Sequence, residues 1–351
     1  MFVYMKNNLN QSQNLFKEVN KIAQQTRIVA GLFIFIVLVI VFQALGFNTE
    51  ILQSPSVSQE TEEIVSHNSL RDIKDFKVSP YPETEEGKIA AYGEKLIKET
   101  QKYLGPNNKF GAVYSGNNLA CTSCHLNGGT KAYAAPYIGL SALFPIYSGR
   151  EGKVATLEER INGCFERSMN GKKLPVESDE MIAIVSYIKH LSKDVMVGSR
   201  IEGQGFVKID APNRKADLTH GETVFKSQCV SCHQSDGQGL VKKSGSMEEG
   251  YIYPPLWGND SFNDGAGMGR MLTAAKFIKG NMPLGATSES PILTDEEAYD
   301  VAAYINSFER PTKFAKEKDY PDLSKKPIDS PYPPFADNKP QEQHKYGPFN
   351  F

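Results

Sequence analysis

Charge of one sign is what this chain most plainly lacks. Its 39 Lys and Arg against 41 Asp and Glu leave a formal net charge of −2. Without a basic excess it has no electrostatic footprint for nucleic acid. Cysteine is sparse as well: there are five in 351 residues, and four of them fall into two copies of one pattern. Long apolar runs are nearly absent, with a single one from Ile28 to Phe47, IVAGLFIFIVLVIVFQALGF, in which Gln43 is the only strongly polar residue. That run ends in QALGF, a poor cleavage signal, and exceeds the ~7–15 apolar residues of a secretory signal, which argues against a removed leader.

The repeated pattern is Cys121-Thr-Ser-Cys124-His125 and Cys229-Val-Ser-Cys232-His233. Cys-x-x-Cys-His reads as covalent attachment of c-type haem. The paired thiols form thioethers to the porphyrin, and His125 and His233 are the proximal iron ligands. A dithiol redox pair or a zinc site is the competing reading, but neither explains a histidine directly after both pairs. Two covalently bound haem c are therefore expected.

About 20 residues at ~1.5 Å each span a ~30 Å hydrocarbon layer, so 28–47 is expected to be a retained transmembrane anchor. Lys17, Lys21 and Arg27 precede it, whereas Glu50, Glu60, Glu62 and Glu63 follow it. That asymmetry puts residues 1–27 in the cytoplasm. The expected protein is held by one span in a bacterial cytoplasmic membrane, with its haem domains in the periplasm. Residues 48–86 are polar and acidic and read as a tether. Two units of related order follow, each with a helix-compatible stretch, the haem motif, a Gly- and Pro-rich region and a final amphipathic helix. The final helices, SDEMIAIVSYIKHLS and TDEEAYDVAAYINSF, both open on a Ser or Thr cap with acids in the first turn. The expected fold is all-α: tandem cytochrome c domains at 87–195 and 216–310, a linker at 196–215 and an extended, Pro-rich tail at 311–351. Covalent haem provides the core that so few helices could not supply alone.

The distal ligands differ between the units. In KFIKGNMPLG, Met282 lies just before Pro283 in a loop, the setting of a thioether ligand suited to electron transfer. In the first unit the equivalent slot falls on Lys173 of NGKKLP. Met169, Lys172, Lys173, His190 and Cys164 are the nearby candidates. Thr156 and Glu159 form a possible capping box, from which a helix is expected to run to Gly171. On it Arg160, Cys164, Arg167 and Ser168 share a face. Cations beside a thiol favour thiolate, which is both nucleophile and iron ligand. The same arginines, with Arg150, Lys153 and Lys172, could hold a small dianion. The bland readings are a buried apolar cysteine and a solvated charged face.

The stretches ACTSCHLNGGTKAYAAPYIGL, FPIYSGREGKVATLEERINGCFERSMNG, YPPLWGNDSFNDGAGMGRM, NMPLG and HKYGPF resemble the di-haem thiosulfate dehydrogenase family, the tetrathionate-forming cytochromes c, over roughly 87–351. The resemblance implies that Cys164 is at once the distal ligand of haem 1 and the reactive sulfur. It also implies His233 and Met282 as the ligands of haem 2, and matches Arg150, Arg160 and Ser168 to positions that hold the sulfur oxyanion. Arg167 is added by helix geometry alone. Some relatives carry lysine beside the methionine, where this chain has Asn281. The implied reaction couples two thiosulfates to tetrathionate, or runs in reverse, and passes electrons to a soluble cytochrome c or a terminal oxidase. The alternatives are a non-enzymatic membrane-anchored relay and a haem protein that only binds sulfur compounds.

Overall fold

The computed structural model describes residues 69–243 and 246–351, together with Lys21 and residues 24–30, 33–34 and 37–38. The chain divides into Met1–His67 and Asn68–Phe351. The expected anchor at 28–47 lies largely outside the described residues, as does 48–68 of the expected tether. Among the described residues no helix is long and apolar enough to cross a membrane.

Within 68–351 the two haem motifs belong to two similar helical domains. The first begins with α1, Glu85–Lys98, where the Thr84 side chain accepts from the Gly87 amide and Glu85 and Glu86 face the helix N-terminus. It continues with α2, Leu157–Arg167, and closes with α3, Asp179–Ser192, capped by Ser178. The second domain has α4, Leu218–Gln228, α5, Met271–Asn281, and α6, Asp295–Ser307, with a Thr294–Glu297 capping box.

The first and last helices of each domain cross at a glycine. A Cβ on Gly93 of α1 would lie 2.0 Å from the Ala183 carbonyl oxygen of α3, and one on Gly221 of α4 would lie 2.2 Å from that of Asp300 in α6. In both crossings the next neighbour is a tyrosine Cβ, Tyr187 or Tyr304, at 2.9 Å. These are the tyrosines of SYIK and AYIN, so the sequence repeat is a repeat of packing. Each domain has its own apolar core: Leu96, Phe165, Ile184 and Tyr187 in the first, Phe225, Trp257, Ala275 and Tyr299 in the second.

Three expectations need correction. The fold is mostly helical rather than all-α, because two antiparallel hairpins are present. They are β1, Ile146–Ser148, with β2, Lys153–Ala155, and β3, Leu240–Lys243, with β4, Ser246–Tyr253. Their strands are too short or irregular to show a clear alternating pattern. The stretch 69–84 is not free tether, since Leu70, Ile73, Phe76 and Tyr81 pack on the first core. Helix α2 ends at Arg167 rather than Gly171: Asn170 turns to φ 46°, and the Gly171 amide donates back to the Phe165 carbonyl.

The tail from 311 is irregular apart from 3-10 turns at Lys316–Lys318 and Leu323–Lys325 and a short helix, α7, Gln341–Tyr346. It runs over both domains and buries Asp319, Tyr320, Asp329, Tyr332 and His344.

Candidate functional site

The first haem motif opens onto a cavity of about 220 Å³. Ile97, Tyr137, Leu140, Ile161, Phe165 and Ile184 supply apolar walls, while Cys121, His125 and Cys164 supply the chemistry. The His125 imidazole donates from Nδ1 to the Ala135 carbonyl at 2.6 Å and stacks on Tyr137 at 4.5 Å. That bond fixes the tautomer and leaves Nε2 as a lone pair for a metal. Gly129 makes the stack possible. Its φ is +84°, and a Cβ there would come within 2.1 Å of the Tyr137 ring.

Cys164 lies on α2, whose start is fixed by the expected capping box: Thr156 accepts from the Glu159 amide and Glu159 from that of Thr156. Arg160, one turn earlier, donates from Nη1 to the Cys164 sulfur at 2.9 Å. Burial pushes this thiol up. Against that, the positive charge of Arg160 and its hydrogen bond to the sulfur draw the thiol below its ordinary value. Cys121, Cys124 and Cys229 go the other way, to about 11, 12 and 11, mainly through burial. Cys164 thus differs from those three in being drawn toward the thiolate, and it lines the same cavity as His125. An apolar slot lined by a motif thiol, a histidine and a second sulfur fits a covalently attached haem.

Of the other candidate ligands, Met169 lines this cavity. Lys172 rests over the Tyr114 ring at 5.5 Å, Lys173 is 3.9 Å from Glu166, and His190 pairs with the Ser79 carbonyl at 3.0 Å.

The expected cationic face is divided. Only Arg160 meets the sulfur. Arg167 is buried, donating to Asp319 at 2.8 Å with Glu151 at 3.6 Å. Arg150, in the β1–β2 turn, donates to the Gly265 carbonyl at 2.7 Å and to Asp319 at 3.4 Å. The charge of Glu151, which lies against Arg167, also acts on Arg160. Ser168 caps the C-terminus of α2, and its carbonyl accepts from Asn117 at 2.9 Å. Helix spacing placed Arg167 beside Cys164, but a carboxylate from 152 positions away draws its guanidinium off that face.

The second motif repeats the histidine geometry. His233 donates from Nδ1 to the Pro254 carbonyl at 2.8 Å, and burial lowers its pKa, keeping the ring neutral. Met282 caps the C-terminus of α5 and, like Cys229, packs against the second core. The apolar surroundings, motif thiols, neutral imidazole and thioether again fit haem c. Asn281 is buried and ties α5 to the first domain, donating to the Tyr133 carbonyl at 3.1 Å.

Several contributors carried no signal in the sequence. Arg200 and Gln204, from the expected linker, line the first cavity, and the Tyr133 and Ala135 amides donate to the Gly203 and Gly205 carbonyls. The segment 196–215 is therefore partly pocket wall. Asn263, from the second domain, donates its side-chain amide to the Glu166 carbonyl at 2.9 Å and its backbone amide to the Arg167 carbonyl at 3.2 Å. The end of the Cys164 helix is thus capped by the other haem domain.

Residues 107–197 match the family described as SoxA/TsdA, cytochrome c domain, and 218–309 match Cytochrome c. Thiosulfate dehydrogenase of Psychrobacter arcticus is 45% identical over 243 residues, covering 69% of this chain and 70% of the relative. The enzyme of the same name from Allochromatium vinosum is 42% identical over 225 residues, 63% of this chain and 80% of the relative. Among solved structures, thiosulfate dehydrogenase (TsdBA) from Marichromatium purpuratum aligns with a TM-score of 0.61 at 33% identity. That alignment covers 72% of this chain but spans about half, 51%, of the other.

Proposed function

This chain belongs to the thiosulfate dehydrogenase family and carries two covalently bound haem c, and on that premise we propose that it couples two thiosulfates to tetrathionate at Cys164. The contact between the Cys164 sulfur and Arg160, in the cavity that also holds His125, carries the reading. Two dianions must approach one sulfur, so charge is the obstacle. A guanidinium that stays protonated and offers paired N–H donors answers it. Arg160 holds the sulfonate at the thiolate, while Arg150 and Arg167, bound to Asp319, brace the hairpin and the helix that carry the site.

The Cys164 thiolate bonds the sulfane sulfur of the first thiosulfate, and two electrons leave. The product is a Cys–S–S–SO₃⁻ adduct. A second thiosulfate attacks the sulfane sulfur of that adduct, tetrathionate departs, and Cys164 is released as thiolate. When bound, the two haems supply the acceptors for these electrons, one each. His125 and Cys164 would hold the haem on the catalytic side, and His233 and Met282 the haem on the relay side. The reverse reaction, tetrathionate reduction, uses the same contacts. A soluble cytochrome c or a terminal oxidase takes the electrons. The apolar run 28–47, with cations before it and acids after, supports a single anchor in a bacterial cytoplasmic membrane and a periplasmic site.

Replacing Cys164 by Gly, with both haems still attached, abolishes thiosulfate-dependent reduction of an artificial acceptor and its reverse. Near-parental turnover in that variant rejects the mechanism.

A further inference from the structure

The C-terminal tail touches both helices that carry the proposed distal ligands, each near the end where helical backbone groups lack partners. On the first domain the contact is Asp319. It is 6% exposed, and it accepts from Arg167 Nη2 at 2.8 Å, from the Tyr332 hydroxyl at 2.8 Å and from Arg150 Nη1 at 3.4 Å. Arg167 is the last residue of α2, one turn beyond Cys164. The Tyr320 amide also donates to the Arg150 carbonyl at 2.7 Å, so the tail grips the hairpin turn by backbone and side chain alike.

On the second domain the contact is Asp329, 1% exposed. Helix α5 has Arg270 at its N-cap, which makes no side-chain capping bond. Asp329 supplies what is missing. It accepts from the Leu272 amide in the first turn at 3.1 Å and from Arg270 Nε at 2.8 Å. A carboxylate there both satisfies an orphan amide and faces the positive end of the helix dipole. The same helix ends at Met282.

Between these contacts the tail is braced. Lys326 donates to the Tyr332 and Pro334 carbonyls, each at 2.7 Å, and its ammonium lies 4.5 Å from the Tyr332 ring centre. Pro321 and Pro327 stiffen the backbone further.

We propose that residues 319–332 form a positioning strap, in which Asp319 sets the Cys164 helix through Arg167 and Asp329 sets the Met282 helix by capping it from a distance. The ligand roles rest on the function proposed above. Each carboxylate acts on its own helix, so the two effects are separable. A tail that contributed only general stability would disturb both haems together.

The test uses the full holoprotein with Asp319→Asn, Asp329→Asn and, as control, Asp322→Asn. Asp322 is a tail carboxylate whose bonds go to Ser324. Each haem is followed by its absorption spectrum, electron paramagnetic resonance and midpoint potential, beside thiosulfate kinetics. Asp319→Asn is expected to shift the haem-1 signals and lower kcat/KM by roughly tenfold, the scale of one charge-assisted bond, with haem 2 unchanged. Asp329→Asn is expected to weaken the methionine–iron absorbance of haem 2 and leave haem 1 unchanged. The control leaves both as in the parent. If Asp319→Asn fails to fold, Tyr332→Phe, which keeps the carboxylate and removes one of its bonds, must still shift haem 1. The proposal is overturned if either variant leaves its own haem unchanged, or if both variants move both haems alike. If the unsubstituted protein proves inactive on thiosulfate, the reaction assigned above falls, and the spectra still decide the strap.

Discussion

Replacing Asn263 measures how strongly one haem domain holds the reactive helix of the other. The side chain is 1% exposed. It donates to the Glu166 carbonyl at 2.9 Å and to the Asn170 side-chain oxygen at 3.1 Å, and it accepts from the Gly265 amide at 3.2 Å. In Asn263→Ala all three partners lose a bond, the Gly265 amide in a buried setting and the two oxygens in a partly buried one. A stranded buried group costs about 1–3 kcal/mol, so the buried loss at Gly265 with two smaller ones at the partly buried oxygens gives a total of about 3 kcal/mol. For a unit of this size that lowers Tm by roughly 6–12 °C. Asn263→Asp separates this account from simple loss of volume. It keeps the acceptor for Gly265 but sets a negative charge against the oxygens of Glu166 and Asn170, so it should be worse than alanine. Urea unfolding of the holoprotein, followed by circular dichroism, gives both values. An alanine variant within about 0.5 kcal/mol of the parent, or an aspartate variant no worse than alanine, would refute the reasoning.

Arg160→Gln keeps a donor and removes the charge at the sulfur. Steady-state kinetics should show kcat/KM for thiosulfate lower by at least about tenfold, with a weaker dependence on salt. Gly129→Ala forces a Cβ into the Tyr137 ring from a left-handed backbone, so the His125 stack should break and the haem-1 spectrum change while that of haem 2 holds. Burial pushes the Asp300 carboxyl up, but Arg214, His220 and the Asp217 amide bring it below its usual value. A folded value lower than the unfolded ~3.9 stabilises the protein fully above that pH, and the contribution is lost as pH falls through the folded value. Asp300→Asn should therefore be less stable at pH 7 and show a shallower fall of Tm in acid, measured from pH 7 to 2.

Chemistry that is local along the chain was legible in the sequence. The spacing of Cys121, Cys124 and His125, and of Cys229, Cys232 and His233, needs only a few consecutive residues to define an attachment site. The capping box at Thr156 and Glu159 likewise encodes where the Cys164 helix starts, and a fixed start places Arg160 one turn before the sulfur. The matched SYIK and AYIN segments marked two copies of one domain, because the same tyrosine must meet the same glycine crossing in each. Tertiary structure alone decided which cations face the thiol. Arg160 and Arg167 are equally plausible neighbours by helical spacing, yet a carboxylate 152 residues away takes one of them. Asn263, Arg200, Asp319 and Asp329 were invisible for the same reason. A hydrogen bond has a reach of about 3 Å and no dependence on sequence separation, so partners brought together by folding leave no spacing to read.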